Sequence, residues 1–333
     1  MKATAEYGTS YAVGVDRGGT KIRMALVNSH GEVLEFEQET MPVQTLAALR
    51  EVGNQLVPML EAFLNRPYVR KYSPVGVGVS SVGVMNQRGE IMDSCFKYEQ
   101  DHYPIPIQKV LQEGLRQRYP VLVEGDAKSA VYGEYRFGAG RGVRNMIGLT
   151  IGTGVGGGLI LDGKLYHGKD GYAGMLGFLS VDMYGHDCAS GVRGCLDSYG
   201  CGTAIRKQAQ LALERGELSR LKELSQGNPS LVSSEMVFLA AAEGDRLAKE
   251  LIDEAAYALG IGIASLIHAL NPELVVLGGG LAEQGKLFLD PVRETVQQHL
   301  MGSFAQTPIR EAELGNLAGM IGAVALLMEK LKV

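Results

Sequence analysis

Unbroken apolar runs punctuated by glycine dominate the first forty residues. Tyr11–Asp16 (YAVGVD) has the pattern of a short buried strand. The turn RGGT at 17–20 leads into Lys21–Asn28 (KIRMALVN) and, past SHG, into Glu32–Glu37. Strand, glycine turn, strand, turn, strand predicts an antiparallel meander. The same grammar returns at Met146–Ile151 (MIGLTI), which runs into GTGVGGG at 152–158, continues as Leu159–Asp162, turns at Gly163 and resumes as Lys164–Tyr166. A third apolar run, Glu273–Leu277, ends in Gly278–Gly280 and leads into a helix. Repetition at this scale predicts two related αβ halves rather than a short-period solenoid.

Elsewhere apolar residues recur at helical spacing. Thr45–Asn65 carries Leu46, Leu49, Val52, Leu56 and Leu60 on one face, and Ile107–Gln117, Ala127–Phe137 and the Ala-rich Asn316–Lys332 also predict helices. Residues 203–269 predict helix throughout, apart from a break near Gly227–Ser230. Pro74–Ser80 and Pro120–Glu124 predict strands. Strands and helices in two similar halves predict an α/β protein with a cleft between the halves. A chain of 333 residues has room for two domains. They are drawn here as 1–123, completed by the last helix at 317–333, and 124–316.

Charge narrows the partners. Lys+Arg is 32 and Asp+Glu is 37, a net charge of −5, so no basic stripe is expected for nucleic acid. Ala255–Pro272 is uncharged and close to the length of a bilayer span, yet it carries Gly260, Gly262, Ser265, His268 and Asn271. It predicts a buried helix, and no membrane association is expected. The opening residues lack a basic segment followed by an apolar one, which predicts no secretory signal and a cytoplasmic protein. Cys95, Cys188, Cys195 and Cys201 do not suggest a disulfide framework in a chain this long, so a reduced compartment is expected.

Glycine, at 45 of 333 residues, is nearly twice its usual share of about 7 %. GTGVGG at 152–157 matches G-x-G-x-x-G, but a dinucleotide fingerprint must open a helix, and the residues that follow read as a strand. The sequence has no G-x-x-x-x-G-K-[ST] either. A glycine turn between strands instead lets successive N–H groups form an anion-binding nest without a side chain in the way. Asp16 adds a carboxylate at a strand end, which can hold hydrated Mg²⁺. Thr20 and Lys21 add a hydroxyl and a cation. One such turn is only a hairpin; two in matched settings, with a third glycine run, predict a site for a nucleoside triphosphate.

These elements occur in a familiar order. D-x-G-G-T-K at 16–21, E-x-D-A at 124–127, GTGVGGG at 152–158, G-x-x-G-C-L at 191–196, NPE at 271–273, VVLGGG at 275–280 and GMIGAV at 319–324 together resemble the ROK family of sugar kinases and repressors. The resemblance runs from about residue 11 to residue 326. It implies the two-lobed actin-like ATPase (ribonuclease H-like) fold, ATP as phosphoryl donor, Mg²⁺, a sugar 6-hydroxyl as typical acceptor, and a homo-oligomer, often a dimer. Family repressors carry an N-terminal winged helix-turn-helix, and the strand at Tyr11 leaves too little chain ahead of it, so the kinase branch is expected.

Carried over residue by residue, Asp16, Gly18, Gly19, Thr20 and Lys21 form the first phosphate motif, with Asp16 organising Mg²⁺. Gly152, Thr153 and Gly154 form the second, and Gly278, Gly279 and Gly280 the adenosine motif. Asp126 falls on the catalytic base. That role suits phosphoryl transfer, which needs a carboxylate to orient and deprotonate the attacking hydroxyl; capping the helix at 127–137 is a compatible, purely structural role. Acceptor contacts fall at Ser80, Ser81, Glu124, Gly125, Met175, Phe178 and Asp197.

The acceptor signature departs from the family's. E-N-D-A reads E-G-D-A, so Gly125 stands where an Asn usually meets the sugar. E-x-G-H reads M-L-G-F, with Met175 and Phe178 in place of a carboxylate and a histidine, and G-C-L-E reads G-C-L-D, ending in Asp197. Each lost hydrogen bond to a polyol costs about 0.5–1.5 kcal/mol, which argues against an ordinary glucokinase and for a less polar or modified acceptor. The family's zinc ligands fall at Phe178, Cys188, Ser190 and Cys195. Two ligands of four cannot close a structural site, and a substitute set recruiting His186 and Cys201 lacks a strong spacing, so zinc is not expected and Cys188 and Cys195 are read as plain thiols. His102, His167 and His268 are scattered and suggest no nucleophile triad. An ATP-dependent kinase of a sugar or sugar-like polyol is therefore expected, with a non-catalytic, ligand-binding relative as the alternative. An NAD-dependent oxidoreductase fails the helix test above.

Overall fold

Tyr11–Arg17 (β1), Lys21–Asn28 (β2) and Val33–Thr40 (β3) form the meander that their turns predict, with Asp16 opposite Arg23 across β1 and β2. This computed structural model describes residues 8–18, 21–40, 52–93, 103–188 and 190–333. Gly19, Thr20, His102, Cys95 and the start of the helix expected from Thr45 lie outside them. β1 also runs parallel to Val77–Ser81 (β4), and β4 to Val121–Gly125 (β7), so the sheet order is β3-β2-β1-β4-β7. Val84–Met85 (β5) and Ile91–Asp93 (β6) form a separate small hairpin.

The longer helices are Val52–Leu64 (α1), Ile107–Gly114 (α2), Asp126–Phe137 (α3), Gly202–Glu214 (α4), Ser234–Ala242 (α5), Arg246–Leu270 (α6), Lys286–His299 (α7) and Ala318–Leu331 (α8). One face of the first sheet is β-branched: Val13, Val15, Val77, Val79, Val121 and Val123 bury themselves against Leu56, Leu60 and Phe63 of α1 and Ile107 and Leu111 of α2. The other face presents Gly14 and Gly78 as a directly opposed pair. A Cβ on Gly14 would lie 2.5 Å from Met320, and one on Gly78 would overlap the Ala323 carbonyl, so α8 lies flat against the strands because both positions lack a side chain. Gly133 of α3 and Gly322 of α8 bring those two helices together in the same way.

Met146–Ile151 (β8), Val155–Leu161 (β9), Lys164–Leu165 (β10), Leu274–Gly278 (β11) and Ile309–Glu311 (β12) form a second sheet, in the order β10-β9-β8-β11-β12. β9 begins at Val155, inside the glycine run, and not at Leu159 as the apolar pattern predicts. Gly157 and Gly158 serve close packing there: a Cβ on the first would lie 2.7 Å from the Leu176 side chain and one on the second 3.1 Å from Val131. The chain divides into two compact units, one of Met1–Gly142, Gly158–Gly174 and Glu313–Val333, the other of Val143–Gly157 and Met175–Ala312. The apolar stretch at 255–272 falls in α6, a core helix with Leu259, Ile263 and Ile267 fully buried.

Candidate active site

Parallel pairing in the first unit lines up strand ends that are far apart in sequence. Asp16 of β1 stands opposite Ser80 of β4, and Ser80 opposite Glu124 of β7; one residue on, Arg17, Ser81 and Gly125 form the next row. Asp126 follows at once as the first residue of α3. The carboxyl ends of adjacent parallel strands are where α/β proteins bind ligands. Asp16 accepts from Ser80 Oγ through Oδ1 (3.1 Å) and from Arg23 Nη1 through Oδ2 (2.9 Å). Burial raises its pKa, against the opposing charge of Arg23. Gly319 at the start of α8 leaves these oxygens room, since a Cβ there would sit 3.2 Å from Asp16 Oδ1. Gly18 closes the hairpin through its N–H to the Lys21 carbonyl (3.0 Å), Lys21 itself is exposed, and the buried Ser81 hydroxyl accepts from Arg17 at 3.4 Å.

Asp126 is reached by solvent, although protein surrounds it closely. Desolvation, with the like charge of Asp16 adding to it, lifts its pKa to about 6, while the hydrogen bond from the Ala127 N–H (2.8 Å) pulls the other way. Direct water contact offsets part of the rise. Gly125, not Asp126, occupies the N-cap position of α3, so the carboxylate is not consumed in a capping role.

Glu124 is an acceptor candidate from the sequence, but its partners Lys128 and His167 are not recognised there. Glu124 is buried, and its Oε1 accepts from Lys128 Nζ (3.0 Å) and from the Gly125 N–H (2.7 Å), while Oε2 meets His167 Nε2 at 2.8 Å. Burial favours the neutral acid, yet the His167 hydrogen bond and the Lys128 charge outweigh it and hold this carboxyl below its ordinary range. Lys128 also donates to the Gly171 carbonyl at 2.5 Å. The signal available in the sequence was Lys128 itself, a lysine two places after the candidate base.

The remaining candidates belong to the second unit. Gly152 and Thr153 face the start of α4: Gly202 N–H donates to the Gly152 carbonyl (2.8 Å) and Thr203 N–H to the Thr153 carbonyl (3.4 Å). Asp197 Oδ1 accepts from the Val155 N–H at 2.6 Å and so braces this turn. Gly279 has φ +93°, and a Cβ there would lie 2.5 Å from the Ile151 carbonyl oxygen, so only glycine lets the chain leave β11 beside the 152–154 turn. Gly280 and Gly152 face open space. Gly278 packs on Ala312. Met175 is exposed, and Phe178 is half-buried in the single turn Leu176–Phe178.

The cysteines correct an expectation. Cys188 and Cys195, read as plain thiols in a chain without disulfides, are bonded to each other. The bridges Ser180 to Cys195 and Asp187 to Arg193 fold the segment back on itself and bring them together. Cys201 is free and buried, its thiol accepts from the Ala204 N–H at the cap of α4, and burial pushes its pKa up to about 11.

Two mixed sheets, with carboxylates at parallel strand ends and glycine turns between strands, are those of the actin-like ATPase fold. The chain belongs to the ROK family, whose model matches residues 12–330. It is 33 % identical over 323 residues to the glucokinase of Halalkalibacterium halodurans, covering 96 % of this chain and 95 % of that one. Against the glucokinase of Thermotoga maritima it is 32 % identical over 322 residues, covering 96 % and 98 %. Among solved structures, a ROK family glucokinase from Streptomyces griseus in complex with glucose and AMPPNP superposes with a TM-score of 0.78 at 30 % identity, covering 95 % of this chain and 99 % of that one.

Proposed function

We propose that this protein transfers the terminal phosphoryl group of ATP to a hydroxyl of a sugar or sugar-like polyol. The observation that carries the reading is Asp126, a solvent-accessible carboxyl at the start of α3 whose pKa is raised to about 6 beside Asp16. A general base near neutrality is what the attacking hydroxyl requires. Asp126 takes the acceptor's proton, the acceptor oxygen bonds to the terminal phosphorus, and the bond to the bridging oxygen breaks to leave ADP.

The residues present fit the donor. Asp16 offers a carboxylate suited to hydrated Mg²⁺ once Arg23 yields its oxygen, and Mg²⁺ would supply charge neutralisation at the phosphates. Gly18, Gly19, Thr20 and Lys21, with Gly152, Thr153 and Gly154, would hold phosphate oxygens. Gly280, which faces open space, would leave room for adenosine, with Gly278 and Gly279 shaping the turn before it. Ser80, Ser81, Glu124, Gly125, Met175, Phe178 and Asp197 remain the acceptor candidates. Polar groups at Glu124, Lys128 and His167 favour a neutral polyol such as an unmodified hexose over the less polar acceptor that the sequence suggests.

The test is ADP release with Mg²⁺ and ATP against a panel of hexoses, amino sugars, deoxy sugars and cyclitols. Turnover with at least one acceptor is expected, falling about 10²–10⁴-fold in Asp126→Asn while ATP binding persists. ATP binding without turnover on any acceptor would instead favour a ligand-binding relative, the reading that Gly125, Met175 and Phe178 motivate. A homodimer is proposed with this reading, and sedimentation velocity returning a monomer at micromolar concentration would disprove it.

A further inference from the structure

The loop closed by Cys188 and Cys195 runs straight into the candidate phosphate turn. Two residues after Cys195, in the single turn Leu196–Ser198, Asp197 Oδ1 accepts the Val155 N–H at 2.6 Å. A Cβ on Gly154 would lie 2.8 Å from that same oxygen, so the carboxylate rests against the 152–154 turn itself. Leu196 N–H donates to the Leu179 carbonyl (2.8 Å), and the bridge from Ser180 to Cys195 continues that pairing. Disulfide, Asp197 and turn all belong to the second unit.

The loop itself has little else to order it. At its base the Gly194 N–H donates to the His186 carbonyl (2.7 Å), but Met183, Tyr184 and Val192 are exposed. The ion pair of Arg193 with Asp187 (3.1 Å) faces water, where such pairs contribute little. A segment with few buried apolar contacts has low local stability, so the covalent bond carries much of its order. The two sulfurs also differ in access. Cys188 is half-buried, with Ser190 Oγ 3.2 Å from its Sγ, whereas Cys195 is fully buried, with Ser198 Oγ 3.3 Å from its Sγ. An incoming thiolate therefore reaches Cys188, and Cys195 is the leaving sulfur, to which the Ser198 hydroxyl can donate.

We propose that the Cys188–Cys195 bond is a thiol-exchange site that tunes ATP affinity: when a dithiol reductant opens it, Asp197 is no longer held against the 152–154 turn. The reductant's first thiolate bonds to Cys188 Sγ as the S–S bond breaks, and Cys195 leaves as a thiolate and takes a proton. The reductant's second thiolate then displaces Cys188, which is protonated in turn. Two electrons pass from the reductant, which ends as a disulfide, to the two cysteine sulfurs, which end as thiols. The inference rests on the kinase reading above, since the turn it acts on is the one read there as holding phosphate.

The experiment is calorimetric titration of the protein with ATP and Mg²⁺, without acceptor, after treatment with oxidised or reduced dithiothreitol. Thiol titration in denaturant accompanies it. Two of the four cysteines should be blocked in the oxidised protein, and four free thiols there would overturn the proposal. After reduction ATP is expected to bind about three- to tenfold more weakly, the scale of one lost hydrogen bond, and reoxidation should restore the affinity. Cys188→Ser should bind like the reduced protein and ignore the reductant. Asp197→Ala keeps the disulfide but lacks the brace, and should bind ATP weakly in both states. A lowered melting temperature with unchanged ATP affinity would make the bond purely structural and overturn the proposal, as would a response to reductant that survives in either variant. Reduction and reoxidation of the wild type need no substitution, so the test stands if a variant does not fold. No ATP binding by the oxidised protein would remove the kinase reading and this inference together, whereas equal binding in both states removes this inference alone.

Discussion

Asp126 must be ionised to accept a proton, and its pKa is raised to about 6. The sign follows directly: the competent form grows as pH rises through that value and is lost below it. kcat/KM is therefore expected to fall on the acid side with a limb near pH 6, and a pH–rate profile that is flat down to about pH 5 would refute Asp126 as the base. Arg23 sets a second expectation. It holds Asp16 in a half-buried pair worth about 1 kcal/mol, so Arg23→Ala should lower the Mg²⁺ concentration for half-maximal activity about fivefold, read by Mg²⁺ titration at saturating ATP. Asp16 could be picked out from the sequence because it sits at a strand end next to glycine, and Asp126 because E-x-D-A at 124–127 resembles the family's motif. Arg23 could not be, since nothing in KIRMALVN distinguishes its position until antiparallel register sets it opposite Asp16.

The contact of α8 with β4 and α3 depends on absent side chains. A Cβ on Gly78 would overlap the Ala323 carbonyl and one on Gly322 the Ser129 carbonyl, both backbone atoms that cannot swing away. Gly78→Ala or Gly322→Ala should cost about 1–3 kcal/mol, seen as a lowered melting temperature, whereas Gly302→Ala, where a Cβ meets nothing within 4 Å, should leave it unchanged. The element holding Cys188 and Cys195 behaves differently. Their bond closes a loop with a sequence separation of 7, and by loop-closure entropy its loss should cost about 2–3 kcal/mol. Denaturation of Cys188→Ser against the oxidised wild type measures it, with the reduced wild type expected to match the variant. Residues 203–269, expected to be helix throughout with one break, instead form three longer helices, α4, α5 and α6, and the chain leaves helix at 215–220, 225–228 and 243–245. Helices and strands were otherwise readable from apolar periodicity, with β9 starting early at Val155. The disulfide was not, because the cysteine count says nothing of the fold-back that pairs Asp187 with Arg193 and delivers the two thiols to one place.

At the level of the molecule, the αβ repetition anticipated the two mixed sheets, and the ordered motifs anticipated a family match that runs from residue 12 to 330. The interleaving of β4 between β1 and β7 had no local signature, because parallel neighbours are joined through distant segments. The pairing of Glu124 with Lys128 and His167 was hidden for the same reason, since residue 167 reaches it from another part of the chain. The return of α8 to the first unit is equally long-range. Glu134, near the end of α3, accepts N–H bonds from Glu313 (3.0 Å) and Leu314 (2.7 Å), across separations of 179 and 180 residues. This gives the protein an order of birth. At about 5–20 residues per second a ribosome needs roughly ten to forty seconds to travel from Glu134 to its partners. Throughout that interval the sheet face lined by Ala12, Ala25 and Val27 waits without the helix that will cover it. The first part of this chain to be made is thus among the last to be finished, and a nascent protein of this design has most need of a chaperone before the final thirty residues emerge.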